Sequence, residues 1–437
     1  MSDAMLGADP ASLQALARQM SASSALVDRV STTLDATIRK PLRWHGPDAE
    51  AFTSRWSQTI SPTLRDAVDL LQETSDVLER NAEEQIRASA IDGSSAQESG
   101  AATTPPQATP FEAVAHPAFP DRSASDAAGN RAWWRALSPE EQNQFIQDHP
   151  GQVGSLDGIP VASRVEANRL VAAEQLRRST FAPGEKAYLE KVVSGSVQLV
   201  AYDPGKGNLI ELLGRYDQST TTVVTYVPGT FAKIGDFYTG DLQQMGNFLE
   251  HSDPSHSTAV FVYKNSAFPQ DPTFLQSNDK TYAMHAGTTL HRFESALGLE
   301  NPPQAQTVAV SHSWGESAVA SSEVQGTHYD QQIALSGAAM PESWRPDPTT
   351  RYAYLAFSGD PLAIAEKTGI TGDNYPKDNP AFRQYIYNNP EPSFELGGVQ
   401  IPRDLHALGI NHGLIAKADD PRNADGRRDL ARLVYGS

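Results

Sequence analysis

Apolar residues in the first eighty positions recur three, four or seven apart, which is the spacing of helices with one buried stripe. The first pattern ends at Pro41 and the second begins at Phe52, so only a short turn separates them. We therefore predict two long amphipathic helices that pair antiparallel, the second of them kinked at Pro62. The apolar positions are Leu13, Leu16, Met20, Val27, Val30, Leu34 and Ile38, then Phe52, Trp56, Ile60, Leu64, Val68, Leu71 and Leu78.

The pattern is lost after the second helix and a different one follows. Residues 91–125 begin with a stretch that is poor in large apolar side chains, and they predict a flexible linker. Packed structure resumes at Trp133 and Trp134. Ser138 followed by Pro139 predicts a capped helix start within a helical lead-in that continues through Leu170.

From about residue 192 the apolar positions form short continuous runs, which predict β-strands. Residues 203–208, Asp-Pro-Gly-Lys-Gly-Asn, join the first two runs in a hairpin, and enough chain for crossover helices separates the later ones. We therefore expect a mostly parallel sheet with an antiparallel start. The runs are residues 196–201, 209–213, 222–227, 259–263, 307–310, 333–335 and 352–357.

Composition excludes several classes of function. The net charge of −18 argues against a nucleic-acid partner, because binding phosphates needs clustered Lys and Arg. The absence of cysteine excludes disulfides and thiolate chemistry. No paired histidines or carboxylates lie at metal-ligand spacing, so neither a metal nor another cofactor is expected. We also expect no transmembrane segment and no general secretory signal, since no apolar stretch has the required length or flanks.

The turn between the two N-terminal helices contains Trp44-His45-Gly46. With its helices, this turn resembles the WXG family of type VII secretion substrates over roughly residues 9–90. The resemblance implies secretion by a type VII-like route and a helical WXG-type partner protein bound through residues 9–90. Such substrates usually carry a Tyr-x-x-x-Asp/Glu signal after the second helix, which this chain lacks; without export the protein would be cytoplasmic. The alternative is a plain helical hairpin that mediates dimerisation.

The fifth predicted strand leads directly into Ser311-His312-Ser313-Trp314-Gly315, and small, helix-compatible residues follow. This is the small-x-Ser-x-Gly form of a nucleophile elbow, a sharp strand-to-helix turn that exposes a serine hydroxyl. Ser313 is the candidate nucleophile. Small outer residues are needed because strand and helix pass close together at the turn, and Ser311 replaces the commoner glycine. The alternative is an ordinary turn whose serine caps the helix.

A nucleophile after the fifth strand, in a sheet that opens with a hairpin, resembles the α/β-hydrolase fold. More closely, residues 130–437 resemble an actinobacterial α/β-hydrolase family of unknown function. The resemblance implies a mostly parallel, eight-stranded sheet, preceded here by the all-α hairpin. We therefore expect a hairpin domain at 1–90, a linker at 91–125 and an α/β-hydrolase domain at 126–437. The residues that carry the resemblance are 151–160 with Arg164 and Asn168, residues 228–230, 311–315 and 359–363, and residues 411–413.

A serine hydroxyl is a poor nucleophile without a base, and the base needs an acceptor that orients it. In this fold the acid and the histidine follow the serine in chain order. Asp360 follows the strand at 352–357 and is the candidate acid, with a simple Gly-Asp-Pro turn as the alternative. His412 is the preferred base because it lies in a loop before the last helix, and His406 is the alternative.

An oxyanion needs N–H donors that are already in place. The resemblance assigns one donor to the amide of Trp314 and the other to the loop after the third strand, where we expect the Thr230 or Phe231 amide. A simple Pro-Gly turn is the alternative for this loop. The aromatic residues between this loop and the fifth strand are numerous enough to line an apolar pocket, although such residues more often belong to the core: Phe237, Tyr238, Phe248, Phe268 and Phe274.

The sequence thus predicts a serine hydrolase that cleaves carboxylic esters, with lipid esters among the candidate substrates, and that is a type VII secretion substrate or effector. An amidase or peptidase would use the same three residues. A third alternative is a catalytically silent secretion, assembly or binding protein, in which the hairpin acts and the hydrolase fold is a scaffold.

Overall fold

A computed structural model describes Phe119, Pro120 and residues 126–270, 275–358, 360, 374–388, 393–396, 399–402 and 412–436. The chain divides into two units, Met1–Glu112 and Ala113–Ser437. In the first unit only isolated positions between Arg18 and Glu79 are described. The predicted hairpin of residues 1–90, its Trp-x-Gly turn and most of the linker therefore lie outside the described residues.

The second unit begins with the predicted helical lead-in. Ser138 caps the second helix in a capping box: its hydroxyl accepts from the Glu141 amide, while the Glu141 carboxylate accepts from the Ser138 amide. Pro139 occupies the first helical position, as the sequence predicts. The lead-in helices are α1 Ala127–Ala136, α2 Pro139–Asp148, α3 Pro150–Ser155, α4 Val161–Gln175 and α5 Glu185–Ser194.

A buried polar cluster attaches the lead-in to the sheet. The Arg164 guanidinium pairs with Asp157 at 3.2 Å and also donates to the Gly154 carbonyl. Asn168 donates to the same Gly154 carbonyl and to the Leu199 carbonyl of the first strand, at 2.9 Å. These residues belong to the motif that carries the family resemblance. That part of the motif therefore has a structural role, because it gives hydrogen-bond partners to polar groups whose burial without partners would cost stability.

The central sheet has eight strands in the spatial order β1-β2-β4-β3-β5-β6-β7-β8. The pairs β1–β2 and β2–β4 are antiparallel, and every other pair is parallel. The strands are β1 Gln198–Asp203, β2 Asn208–Gly214, β3 Thr222–Val227, β4 Thr258–Lys264, β5 Gln306–His312, β6 Gln331–Leu335, β7 Arg351–Phe357 and β8 Phe382–Tyr387. A separate hairpin pairs β9 Ser393–Leu396 with β10 Val399–Pro402.

Helices cover both faces of this sheet. Alternate residues of β4 point in opposite directions: Val260 and Val262 join one apolar cluster, while Phe261 and Tyr263 join the other. The first cluster packs against α5, α7 and the last helix, and the second against the two helices that flank β5. The remaining α-helices of the part of the chain that the structure describes are α6 Ile234–Thr239, α7 Gln243–Ser252, α8 Leu275–Asn278, α9 Lys280–Gly298, α10 Gly315–Val324 and α11 Ala424–Tyr435.

This architecture confirms the α/β-hydrolase fold that the sequence predicts for the second unit, because a mostly parallel, two-sided sheet turns into a helix directly after β5. The register pairs Val227, the last residue of β3, with Ser311 of β5. The loop after β3 and the turn after β5 therefore emerge side by side at one edge of the sheet. Among the described residues, no helix is long and apolar enough to cross a membrane.

Candidate active site

Ser313 lies in the turn between β5 and α10 with a φ of 53°, the left-handed region that L-residues rarely adopt. Backbone hydrogen bonds to the neighbouring elements hold it there. The Ser313 amide donates to the Leu335 carbonyl at 3.0 Å, and the Ala338 amide donates to the Ser313 carbonyl at 3.0 Å. A strained residue that its surroundings hold in place is typical of functional sites. The turn therefore has the backbone geometry of the predicted nucleophile elbow.

The glycines around Ser313 are required by close approach. A Cβ on Gly315 would lie 2.3 Å from the Val227 carbonyl oxygen, so the first turn of α10 packs directly on the end of β3. A Cβ on Gly229 would lie 2.8 Å from the Ser313 Cβ and 3.1 Å from the His312 carbonyl oxygen. The backbone of the loop after β3 therefore contacts the elbow at Gly229.

Ser311 does more than substitute for glycine. It is fully buried, and its hydroxyl donates to the Glu316 carboxylate at 2.6 Å. Gln332 of β6 donates to the other Glu316 oxygen at 2.7 Å. Burial raises the pKa of Glu316 to about 7, against the lowering effect of these two hydrogen bonds. A buried carboxyl thus links β5, β6 and α10 beside Ser313, a feature that the prediction of an ordinary helix at 316–324 does not reveal.

The structure brings Ser313, His412 and Asp360 together, although they are far apart in the chain. His412 Nε2 lies 2.7 Å from Ser313 Oγ, and His412 Nδ1 lies 3.0 and 3.1 Å from the two Asp360 carboxylate oxygens. With Nδ1 protonated, the imidazole donates to Asp360 and accepts the hydrogen bond of the serine hydroxyl. Asp360 follows β7 and is buried, while the His412 side chain keeps 20% of its surface exposed. His406 lies outside the described residues.

The surroundings of His412 set its protonation. Burial lowers its pKa, but the charge of Asp360 and the hydrogen bond to it outweigh that effect, and the pKa lies above its ordinary value of 6.5. The neighbouring His312 ring stacks on His412 with centroids 5.2 Å apart, and its Nε2 lies 3.2 Å from the His412 carbonyl oxygen. Burial and the neighbouring His412 lower the pKa of His312 to about 4. At neutral pH, His312 is therefore an uncharged imidazole that donates to the backbone carbonyl of His412.

The three candidate oxyanion donors differ in their hydrogen bonding. The Phe231 amide donates to the Pro269 carbonyl at 2.8 Å, so it is already engaged. The Trp314 and Thr230 amides have no backbone acceptor among the described residues. Because Gly229 lies on Ser313, the Thr230 amide is close to the elbow. The geometry thus favours Thr230 over Phe231 as the partner of Trp314.

Aromatic side chains near the elbow belong mainly to the core. Phe268 and Trp314 are each 1% exposed and pack edge to face with centroids 5.2 Å apart. Phe237 is also buried, in the apolar cluster on the other face of the sheet, and Phe248 packs against that cluster. Phe274 lies outside the described residues. The described aromatic residues of this set therefore pack in the core rather than line an open substrate pocket. Phe231 is the exposed one, with 41% of its surface accessible.

Sequence comparison gives distant relatives. No family model matches the chain. Two curated relatives, uncharacterized proteins of Mycobacterium tuberculosis strains CDC 1551 and H37Rv, are 26% identical over 251 residues. The match covers 47% of this chain and 38% of each relative, so the chain spans well under half the length of the curated relatives it matches. Their source is consistent with the actinobacterial resemblance.

Several solved structures are similar to part of the chain. A predicted CIB-like hydrolase from Thermoplasma acidophilum has a TM-score of 0.33 and 14% identity, covering 55% of this chain and 99% of its own. A dienelactone hydrolase-like promiscuous phosphotriesterase from metagenomic libraries has a TM-score of 0.36 and 14% identity. The match covers 55% of this chain and 96% of that protein. A carboxylesterase from Mesorhizobium loti has a TM-score of 0.30 and 12% identity. The match covers 54% of this chain and 98% of that protein. At these TM-scores the fold assignment rests on the sheet itself.

Proposed function

We propose that this protein is a serine hydrolase that cleaves carboxylic esters, lipid esters among them, with Ser313 as nucleophile, His412 as base and Asp360 as its orienting acid. The observation that carries the proposal is the continuous hydrogen-bonded series from Asp360 through His412 to Ser313, with 2.7 Å between Nε2 and Oγ. Nucleophile, base and acceptor in contact are what activation of a serine hydroxyl requires.

The reaction has two halves. Ser313 Oγ attacks the ester carbonyl carbon while its proton passes to His412 Nε2, and Asp360 stabilises the imidazolium that forms. The carbonyl oxygen becomes an oxyanion, which accepts from the Trp314 and Thr230 amides. When the intermediate collapses, the carbon–oxygen bond to the alcohol breaks and His412 gives its proton to the departing oxygen. A water then repeats the attack on the acyl-enzyme, releasing the acid and restoring Ser313.

Esters are the proposed substrates because an alkoxide leaves more easily than an amine, whose expulsion demands full protonation. The amidase alternative uses the same three side chains, so a substrate panel separates the two. The protein should hydrolyse p-nitrophenyl butyrate faster than the matching p-nitroanilide. The reverse order would assign amide cleavage.

The two histidine candidates give the sharpest test of the mechanism. His412→Ala should lower kcat for p-nitrophenyl butyrate by several orders of magnitude, as loss of the base does in other serine hydrolases. Ser313→Ala should lower it as much, and His406→Ala is the matched control that should retain activity. If His406→Ala abolishes hydrolysis and His412→Ala does not, the assignment of the base is wrong. If wild type and all three variants fail to hydrolyse every ester offered, the silent scaffold is favoured.

Export by a type VII-like route and a helical partner bound through residues 9–90 are proposed on the sequence of the hairpin alone. The support is Trp44-His45-Gly46 between two amphipathic patterns. Secretion from the native host should be lost in a Trp44→Ala, Gly46→Ala double variant and kept in Ser313→Ala. Equal secretion of the hairpin variant and the wild type would contradict this part of the proposal.

A further inference from the structure

His312 is the last residue of β5 and directly precedes Ser313. Two contacts place its imidazole beside His412. Its Nε2 lies 3.2 Å from the His412 carbonyl oxygen, and the centroids of the two rings are 5.2 Å apart. The reaction steps described above use Ser313 and His412 but give His312 no part, so its place beside both residues needs an explanation.

The His312 ring also adjoins the loop after β3. A Cβ on Gly229 would lie 3.3 Å from His312 Nδ1, as well as 2.8 Å from the Ser313 Cβ. The next residue of this loop is Thr230, the proposed oxyanion donor. The imidazole of His312 therefore contacts the backbone that carries the proposed base and lies close to the backbone that carries the oxyanion donor.

The hydrogen bond to His412 fixes the state of the His312 ring. A carbonyl oxygen only accepts, so Nε2 carries the proton in this contact. Burial and the neighbouring His412 hold the pKa of His312 at about 4, although the hydrogen bond and the charge of Asp360 act in the opposite direction. His312 is therefore uncharged at every pH at which His412 can accept a proton, and the nitrogen it turns to His412 is a donor rather than a base.

Two hydrogen bonds thus join the adjacent residues 312 and 313 to one residue, His412. The first links Ser313 Oγ to His412 Nε2 at 2.7 Å, and it breaks and forms again as the proton moves. The second holds the His412 backbone and takes no part in proton transfer, so it persists through the reaction. A base must stay within hydrogen-bond reach of the serine, and a misplacement of about 1 Å can cost about 100-fold in rate.

We propose that His312 is a positioning residue whose Nε2–H holds the backbone of His412 against the end of β5 and so keeps the base in line with the serine hydroxyl. The inference rests on the proposed ester hydrolysis. It adds a fourth side chain to the three that the mechanism uses, one that acts through His412 and touches neither proton nor substrate.

Three substitutions at position 312 separate the donor from the ring. His312→Phe keeps a planar ring but has no donor. His312→Gln places its amide nitrogen at the reach of Nε2 and can donate to the same carbonyl, whereas the amide of His312→Asn reaches only as far as Nδ1. We expect kcat for p-nitrophenyl butyrate to fall about 10-fold or more in the Phe and Asn variants, with KM within about 2-fold of wild type. His312→Gln should retain kcat within about 3-fold of wild type.

The second measurement is the rate of labelling by a fluorophosphonate, which reports the reactivity of the Ser313 hydroxyl without ester turnover. The labelling rate should fall in the Phe and Asn variants by the same factor as kcat, and recover in His312→Gln. The final extent of labelling counts the folded, competent molecules and corrects each rate for any loss of folded protein. If His312→Phe does not fold, the pair of Asn and Gln variants carries the test.

His291→Phe is the matched control. His291 is a partly buried histidine of α9 whose Nδ1 lies 2.9 Å from the Thr327 hydroxyl oxygen, so this change also removes an imidazole hydrogen bond. It should leave kcat, KM and the labelling rate at their wild-type values.

Several results would overturn the inference while leaving ester hydrolysis established. They are wild-type kcat in both His312→Phe and His312→Asn, a rise in KM in place of the fall in kcat, and a His312→Gln variant as impaired as His312→Phe. A loss of activity that only follows the folded fraction would do the same, because it would assign His312 to stability alone. A wild-type protein that neither hydrolyses esters nor is labelled at Ser313 would refute the proposed function, and the inference with it.

Discussion

The buried Glu316 should make the stability of the protein depend on pH. The Glu316→Gln variant should lose the part of this pH dependence that comes from Glu316. The carboxyl is fully buried between Ser311 and Gln332, and burial raises its pKa from 4.5 to about 7. Between these two pH values the folded state holds a proton that the unfolded state has lost. Stability therefore falls as pH rises from 4.5 to 7 and is constant above that range for this group.

The size of the effect follows from the shift. The rise of the pKa from 4.5 to about 7, at about 1.4 kcal/mol per pKa unit, corresponds to about 3 to 4 kcal/mol. Glu316 lies in the first turn of α10, where the helix dipole favours a carboxylate by about 0.5 kcal/mol. Glutamine has nearly the same shape, and its amide can hydrogen-bond both Ser311 and Gln332. We therefore expect Glu316→Gln to be about 2–3 kcal/mol more stable than wild type at pH 8 and equal to it near pH 4.5.

Urea unfolding at pH 4.5, 6, 7 and 8 measures this difference directly. Two other buried carboxyls titrate in the same region, since burial raises the pKa of Glu294 to about 7 and that of Glu323 to about 8. Their contributions are common to wild type and variant and cancel in the comparison, except for the repulsion between Glu316 and Glu323. Parallel pH curves for the two proteins, or a variant that is less stable than wild type at pH 8, would show that the buried Glu316 does not carry this pH dependence.

Three further predictions concern the elbow and its base. The free energy of unfolding in urea should be about 0.5–1 kcal/mol higher for Ser313→Gly than for Ser313→Ala, because only glycine adopts a φ of 53° without strain. Equal values would show that the backbone at this position is not strained. Gly229→Ala should lower kcat about 10- to 100-fold, because the new Cβ would lie 2.8 Å from the Ser313 Cβ. The control Gly205→Ala, in the β1–β2 turn, should keep the wild-type kcat. Full activity of Gly229→Ala would exclude the close approach of the loop to Ser313. The pH profile of kcat/KM should fall on the acid side with a midpoint above 6.5, because protonated His412 cannot accept the serine proton; a midpoint well below 6.5 would exclude His412 as the base.

Much of the candidate site was predictable because chain order and strand ends carry the information. Ser313 and Asp360 both follow apolar runs, and parallel strands bring their carboxyl ends to one edge of the sheet. The lead-in helix start at Ser138 was predictable because capping depends on a few adjacent residues. Local patterns of this kind need no knowledge of the rest of the fold.

Other features depend on contacts between distant residues and have no local signal. Strand β8 is absent from the predicted runs because it is an edge strand with an exposed face, and Arg383 and Gln384 interrupt its apolar pattern. The position of β4 between β2 and β3 follows from packing of the whole sheet. The choice of Thr230 over Phe231 as oxyanion donor needed the hydrogen bond to Pro269, a residue of another loop.

The link between Ser311 and Glu316 shows the same limit. In the sequence, Ser311 reads as a small departure from glycine. In the fold its hydroxyl donates a hydrogen bond to the buried carboxyl of Glu316, three residues beyond Ser313. Only the turn at Ser313, which brings β5 and α10 side by side, makes that contact visible.

In the proposed mechanism, His412 activates the Ser313 hydroxyl for attack. A fluorophosphonate probe measures this directly, because the activated serine displaces fluoride and keeps the phosphonyl group, which intact-mass and peptide mass spectrometry locate. We predict one phosphonyl group per chain, attached to Ser313 in the wild type, with no labelling of Ser313→Ala or of urea-unfolded protein and at least 100-fold slower labelling of His412→Ala. A folded wild-type protein that remains unlabelled at Ser313, or a His412→Ala variant that is labelled as fast as wild type, would show that His412 does not activate Ser313.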